Sequence, residues 1–120
     1  MQIEIESPDF PLTEAMRAFL ERRLRYDLTR CDDRIGAVQV YLSDVNGRRG
    51  GVDKRCLVRV RLRGDNDVVV EDTETDLYFA MNRAVARAGR TVARRVTRRL
   101  APRRRKNTVV VADALGAGPA

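Results

Sequence analysis

The sequence predicts an α+β domain with its elements in the order β-α-β-β-β-α: a four-stranded mixed sheet with two helices packed on one face. Three observations lead there. Four short stretches alternate apolar and polar residues with the period of a strand, and two longer ones repeat apolar residues every three or four positions. At 120 residues the chain has the size of one domain, so these stretches share a single modest core and every apolar face has to be covered within it.

The elements come in order. "QIEIES" alternates Ile3 and Ile5 with Gln2, Glu4 and Glu6, a half-buried strand that "SPDFP" breaks. Thr13 is placed to cap a helix over "EAMRAFLERRLRYDL", whose apolar residues Ala15, Met16, Phe19, Leu20, Leu24 and Leu28 form one face. After "TRCDDRIG" the period returns to two: Val38, Val40 and Leu42 point one way, Ala37, Gln39 and Tyr41 the other. "SDVNGRRGGVDK" reads as a loop. "RCLVRVRLRG" then sets Cys56, Val58, Val60 and Leu62 inward and Arg55, Arg59, Arg61 and Arg63 outward. A turn at "GDN" hairpins it to "DVVVED".

The last helix starts near "TETD", where Thr73 and Asp76 have capping-box spacing and Thr75 and Asp72 are equal candidates for the cap. Pro102 ends it at or before residue 101. At 100° per residue, Leu77, Met81, Ala84, Val85, Ala88, Val92 and Val96 gather on one side, and Tyr78 falls with them. Arg83, Arg87, Arg90, Arg94 and Arg98 fall in a narrow arc opposite. Arg95 and Arg99 drift toward the apolar side, which suggests that the helix overhangs the sheet near its end. Residues 1–101 are the folded domain and 102–120 a basic, then flexible, tail.

Charge is unevenly spread. The net charge is +7, yet positions 1–76 hold 13 basic and 16 acidic residues, and residues 77–112 hold eleven basic ones and no acid. The positive field belongs to the last helix and the start of the tail. Such a field favours a polyanion as partner. Five arginines at helical spacing with no acid at i+3 or i+4 repel one another by a few tenths of a kcal/mol per neighbouring pair, and an ordinary solvated face would interleave glutamates. Arginine's planar fork suits phosphate oxygens, and the near-absence of base-reading side chains points to recognition of shape and backbone.

Several classes of chemistry are excluded. There is no histidine, and only Cys31 and Cys56, so neither a zinc site of usual ligand count nor a disulfide framework is expected, and no cofactor. Cys56, beside Lys54 and Arg55, is the one candidate thiolate, but its strand position argues for burial. Paired acids at Asp32–Asp33 and Glu71–Asp72 diverge and do not converge on one bond. No enzyme activity and no small-molecule substrate is assigned. The start lacks a basic n-region and an apolar core, and no apolar run reaches spanning length, so a cytoplasmic protein without membrane contact is expected.

Secondary candidates remain open. In the glycine-rich loop Arg48 and Arg49, with Lys54 and Arg55 after them, are either phosphate contacts or part of a mobile connection. Arg103, Arg104 and Arg105 of the tail are further candidates. The outward arginines of the third strand are either a second contact surface or a solvated face. Phe79, at the edge of the arginine arc, is either a stacking platform or a rim of the core.

Three stretches, "LTEAMRAFLERRL", "DDRIGAVQVYL" and "EDTETDLYFAMNRAVARAGR", resemble the short ribosome hibernation-promoting factors, also called ribosome-associated inhibitor A or sigma-54 modulation-like proteins. The similarity covers about residues 2–100. It implies a domain like a double-stranded-RNA-binding fold with an added strand, bound to the ribosomal RNA of the small ribosomal subunit in the channel for messenger RNA and the A- and P-site transfer RNAs. Translation would then be silenced in stress or stationary phase. The family's RNA-contacting positions match Arg87, Arg90, Arg94 and Arg98, and its first helix contributes Arg23; Arg83 extends the stripe without a family counterpart. The loop at 46–56 is richer in glycine and arginine than in common short forms. The 20 residues after Leu100 are too few for a second domain, so a monomer that does not pair ribosomes by itself is expected. The alternatives are a general RNA-binding protein and a sigma-54-related regulatory protein.

Overall fold

The computed structural model describes residues 1–45 and 53–100, with the backbone alone for 98–100. Strand β1 (Gln2–Glu6) leads into helix α1 (Glu14–Leu28), a short 3-10 segment (Thr29–Arg34), β2 (Ile35–Asp44), β3 (Lys54–Leu62), β4 (Val68–Glu74) and helix α2 (Leu77–Leu100). The sheet is mixed, in the order β1-β2-β3-β4. β1 lies parallel to β2, with Ile3 beside Val38 and Ile5 beside Val40, while the other two pairings are antiparallel. A parallel pair needs a crossover, and α1 provides it.

Each boundary has a local cause. Thr13 Oγ1 accepts from Met16 N at 3.0 Å and starts α1. At the start of α2 the cap is Asp76: its carboxylate accepts from Phe79 N at 3.1 Å while its carbonyl accepts from Ala80 N at 3.0 Å. This replaces the expected capping box. β4 runs through Glu74, which keeps Asp72 and Thr73 in the sheet and leaves Asp76 as the acceptor in reach. Between β3 and β4 the chain turns at Gly64, whose φ of 73° lies where a side chain would be strained, and Arg63 N bonds back to Arg34 O at 2.8 Å.

One face of the sheet and both helices close a single core. Leu20, Leu24, Ile35, Val38, Leu42, Cys56, Val58, Val60, Met81, Ala84, Val85, Ala88 and Val92 are fully buried, and Ile3, Ile5, Phe19, Leu77 and Val96 pack on its margin. The expected inward positions hold, except that Ala15 is exposed and Tyr78, placed with the apolar side of the last helix, is 39% exposed. Ala80 is buried too. Both cysteines are buried and free. Gly89 lets the helices touch: a Cβ there would sit 3.1 Å from the Asp27 carbonyl oxygen and from Asp27 Cβ.

Candidate nucleic-acid interface

Because Ala80, Met81, Ala84, Val85, Ala88 and Val92 hold α2 against the sheet, helical geometry sets Arg83, Arg87, Arg90 and Arg94 in a row along one flank of the helix, beside the outer strand β4 at its start, and position 98 continues the line of the backbone. At 1.5 Å per residue the row is about 22 Å long. Arg83, Arg87 and Arg90 are exposed and Arg94 is half-buried. The side chain of Arg98 lies outside the described residues, as do Arg48, Arg49 and the tail residues Arg103, Arg104 and Arg105.

The row is not uniform. No acid stands beside it at helical spacing, but β4 supplies two from the neighbouring layer. Arg83 Nε lies 2.9 Å from Asp72 Oδ2 and 3.3 Å from Glu74 Oε2, with its guanidinium 5.6 Å from the centre of the Phe79 ring. Arg87 donates to the carbonyl of Glu71 at 2.8 Å and approaches Asp72 Oδ2 at 3.9 Å. Asp72 crowds Glu74: their shared hydrogen bond, more than burial, pushes the Glu74 carboxyl above its ordinary range, with Arg83 pulling the other way. Beyond them, the side chains of Arg90 and Arg94 have neither an ion pair nor a hydrogen bond among the described residues.

Arg95, expected on an overhanging end, is instead tied down. It reaches Asn66 O at 3.1 Å and Asp65 Oδ1 at 3.8 Å in the β3–β4 turn. The turn extends far enough beneath the helix to meet it there. Arg23 of α1 bonds to Asn82 Oδ1 of α2 and, at 3.1 Å, to Asp27 Oδ2, so it bridges the two helices beside the row.

The remaining candidates serve other partners. Lys54 belongs to β3 rather than to the loop, and its ammonium lies 3.2 Å from buried Asp53 and 3.4 Å from Asp44. The hydrogen bond to Asp53, and then that to Asp44, raises its pKa. Arg55 Nε donates to Ser43 Oγ at 3.2 Å. Tyr78 packs edge-to-face on Phe19 at 5.1 Å yet stays part-exposed, and Phe79 is about half exposed. On the uncovered sheet face a hollow of about 220 Å³ is lined by Glu4, Glu6, Gln39, Tyr41, Leu57 and Arg59, a mixture of both charges. Among the described residues no cluster of three or more potential ligands is arranged for a metal ion, and no helix is long and apolar enough to cross a membrane.

The family model described as "Sigma 54 modulation protein / S30EA ribosomal protein" matches residues 3–100, which is nearly all of the described fold. The chain belongs to this family. Among solved structures, the S30EA chain is similar to the N-terminal domain of Protein Y from Thermus thermophilus, with 32% identity, a TM-score of 0.65, and coverage of 78% of this chain and 98% of that one. It shares its fold with a ribosomal subunit interface protein from Coxiella burnetii at 15% identity and a TM-score of 0.69, over 81% of this chain and 99% of the other. No curated protein matches. The S30EA family is one of ribosome-associated factors, generally without enzymatic activity.

Glu74 and Asn82 are site residues that the sequence pattern did not single out, and Asp72, read there as a candidate cap and as one of a pair of acids, is instead a partner of the arginine row. For the two acids a signal was present. They share the alternation of Val68 and Val70, so they sit on the face of β4 turned to α2, and a charged side chain there has to meet a cation.

Proposed function

We propose that this S30EA protein binds the small ribosomal subunit as a monomer in the cytoplasm, laying the outer side of α2 on ribosomal RNA in the channel used by messenger RNA and the A- and P-site transfer RNAs. Occupying that channel excludes both ligands and so inhibits translation under stress or in stationary phase. The observation that carries the reading is the pair Arg90, exposed, and Arg94, half-buried, on one flank of α2 with no acid satisfying them among the described residues. Guanidinium groups left without an acid partner match phosphate oxygens, and the helix fixes the spacing of their Cα atoms along a strand. Family membership adds the ribosome as the source of those phosphates. Inhibition by occupancy needs no catalytic group.

The test is sedimentation of the full chain with purified small subunits on sucrose gradients, with and without transfer RNA. Co-migration that transfer RNA reduces is the expected result, and Arg90→Glu with Arg94→Glu abolishes it while the circular dichroism spectrum stays unchanged. Binding of naked RNA with no preference for the subunit would mark a general RNA-binding protein. Absence of any binding at low salt would leave the sigma-54-related regulatory role as the better reading.

A further inference from the structure

We infer that Asp72 and Glu74 act as a built-in anion that neutralises the N-terminal part of the α2 row, so that phosphate contact starts at Arg90 and Arg83 takes no part in it. The inference rests on the RNA-binding reading and deepens it by dividing the row. Arg83 makes the closest contacts to acid of any arginine in the row, 2.9 and 3.3 Å to two different carboxylates. Arg87 is the next in line, 3.9 Å from the same Asp72 oxygen and bonded to the Glu71 carbonyl. Two arginines against two carboxylates leave little net charge over the first turn and a half of the row.

These acids are not casual surface partners. The side chain of Asp72 is only 10% exposed and that of Glu74 24% exposed, and β4's pleat directs both toward α2. A phosphate approaching Arg83 would have to displace carboxylates that are fixed in the sheet and cannot leave. It would also meet their charge across a partly desolvated space, where like charges repel more strongly than in water. At Arg90 and Arg94 no such competitor is present among the described residues. Asp72 and Glu74 are therefore positioning residues: they set where along the helix a sugar-phosphate strand is bound, and they lower the non-specific attraction of the whole face for RNA.

The experiment is fluorescence anisotropy of the full chain with a labelled RNA duplex over a range of salt concentrations. The variants are Arg83→Gln, Asp72→Asn with Glu74→Gln, all three changes together, and Arg90→Gln with Arg94→Gln. Each phosphate neutralised contributes about −0.9 to the slope of log affinity against log salt. Arg83→Gln alone is expected to leave the slope of the parent within about 0.3, while removing Arg90 and Arg94 flattens it by roughly 2. Removing the two carboxylates steepens the slope by about 1 to 2 as Arg83, and with it Arg87, becomes available; adding Arg83→Gln to that background takes about 1 back. This last difference is one that a merely structural role for the acids would not produce. If Arg83→Gln flattens the slope of the parent as much as a change at Arg90, or if the carboxylate variant keeps the parent's slope, the inference is overturned while RNA binding stands. If the parent shows no salt-dependent binding, the RNA reading itself fails and takes the inference with it.

Discussion

Replacing Cys56 by alanine should change how stability depends on alkaline pH. The thiol is fully buried on β3, and burial, with a smaller push from the charge of Asp72, raises its pKa from 9.0 to about 12. Between these values the folded chain keeps a proton that the unfolded chain gives up. Stability therefore falls as pH rises through the window, by at most about 1.4 kcal/mol per unit, and on the order of 4 kcal/mol across three units. Lys54, whose pKa is also raised, loses its contribution in the same direction, but it is present in both proteins and cancels in the difference. The assay is urea unfolding of the parent and of Cys56→Ala in reductant at steps from pH 8 to pH 11. At pH 8 the alanine variant is the less stable, because it lacks the sulfur's contacts. From pH 9 upward the parent loses about 1 kcal/mol per unit relative to it, until the order reverses. A stability difference that stays constant with pH would refute the reasoning, and would mean that the thiolate finds solvent or a cation without unfolding.

Two further outcomes test the framework that carries the arginine row. Asp76→Ala removes the cap of α2 and is expected to cost about 1 kcal/mol, lowering the Tm by roughly 4–8 °C in a domain of this size; an unchanged Tm in thermal unfolding would show that the carboxylate bond is idle. Gly89→Leu sets a side chain against the Asp27 backbone and should cost about 1–3 kcal/mol by urea unfolding, even though leucine is the better helix former by nearly 1 kcal/mol; a stabilised variant would mean that α1 yields freely at this contact.

The fold was readable because its apolar periods do not conflict. Val38, Val40 and Leu42 keep period two, and Met81, Ala84, Val85, Ala88 and Val92 keep the helical period, and the inward side of each pattern is the buried side. The caps were less readable. At Thr73, Thr75 and Asp76 several acceptors compete within four residues, and the choice depends on where β4 releases the chain, which is decided by pairing with β3 and not by the local residues. Charge was readable along the chain and unreadable across it. Scanning α2 at i+3 and i+4 finds no acid, yet Asp72 lies 11 residues before Arg83 and Asp65 30 before Arg95, and both meet their arginines through the sheet. Lys54 illustrates the same limit, since the burial of Asp53 beside it comes from tertiary packing alone.

The bond from Arg87 to the Glu71 carbonyl also bears on self-assembly. β4 is the outermost strand of its sheet, and an outermost strand is a template on which a second chain can add its own. A guanidinium seated on the backbone of that strand places a hydrated positive charge where an incoming strand would have to lie, and occupies an oxygen that it would need. The helix thus shields the sheet's margin with one of its own arginines. A strand added at this margin would have to displace Arg87 from the Glu71 carbonyl before it could pair there.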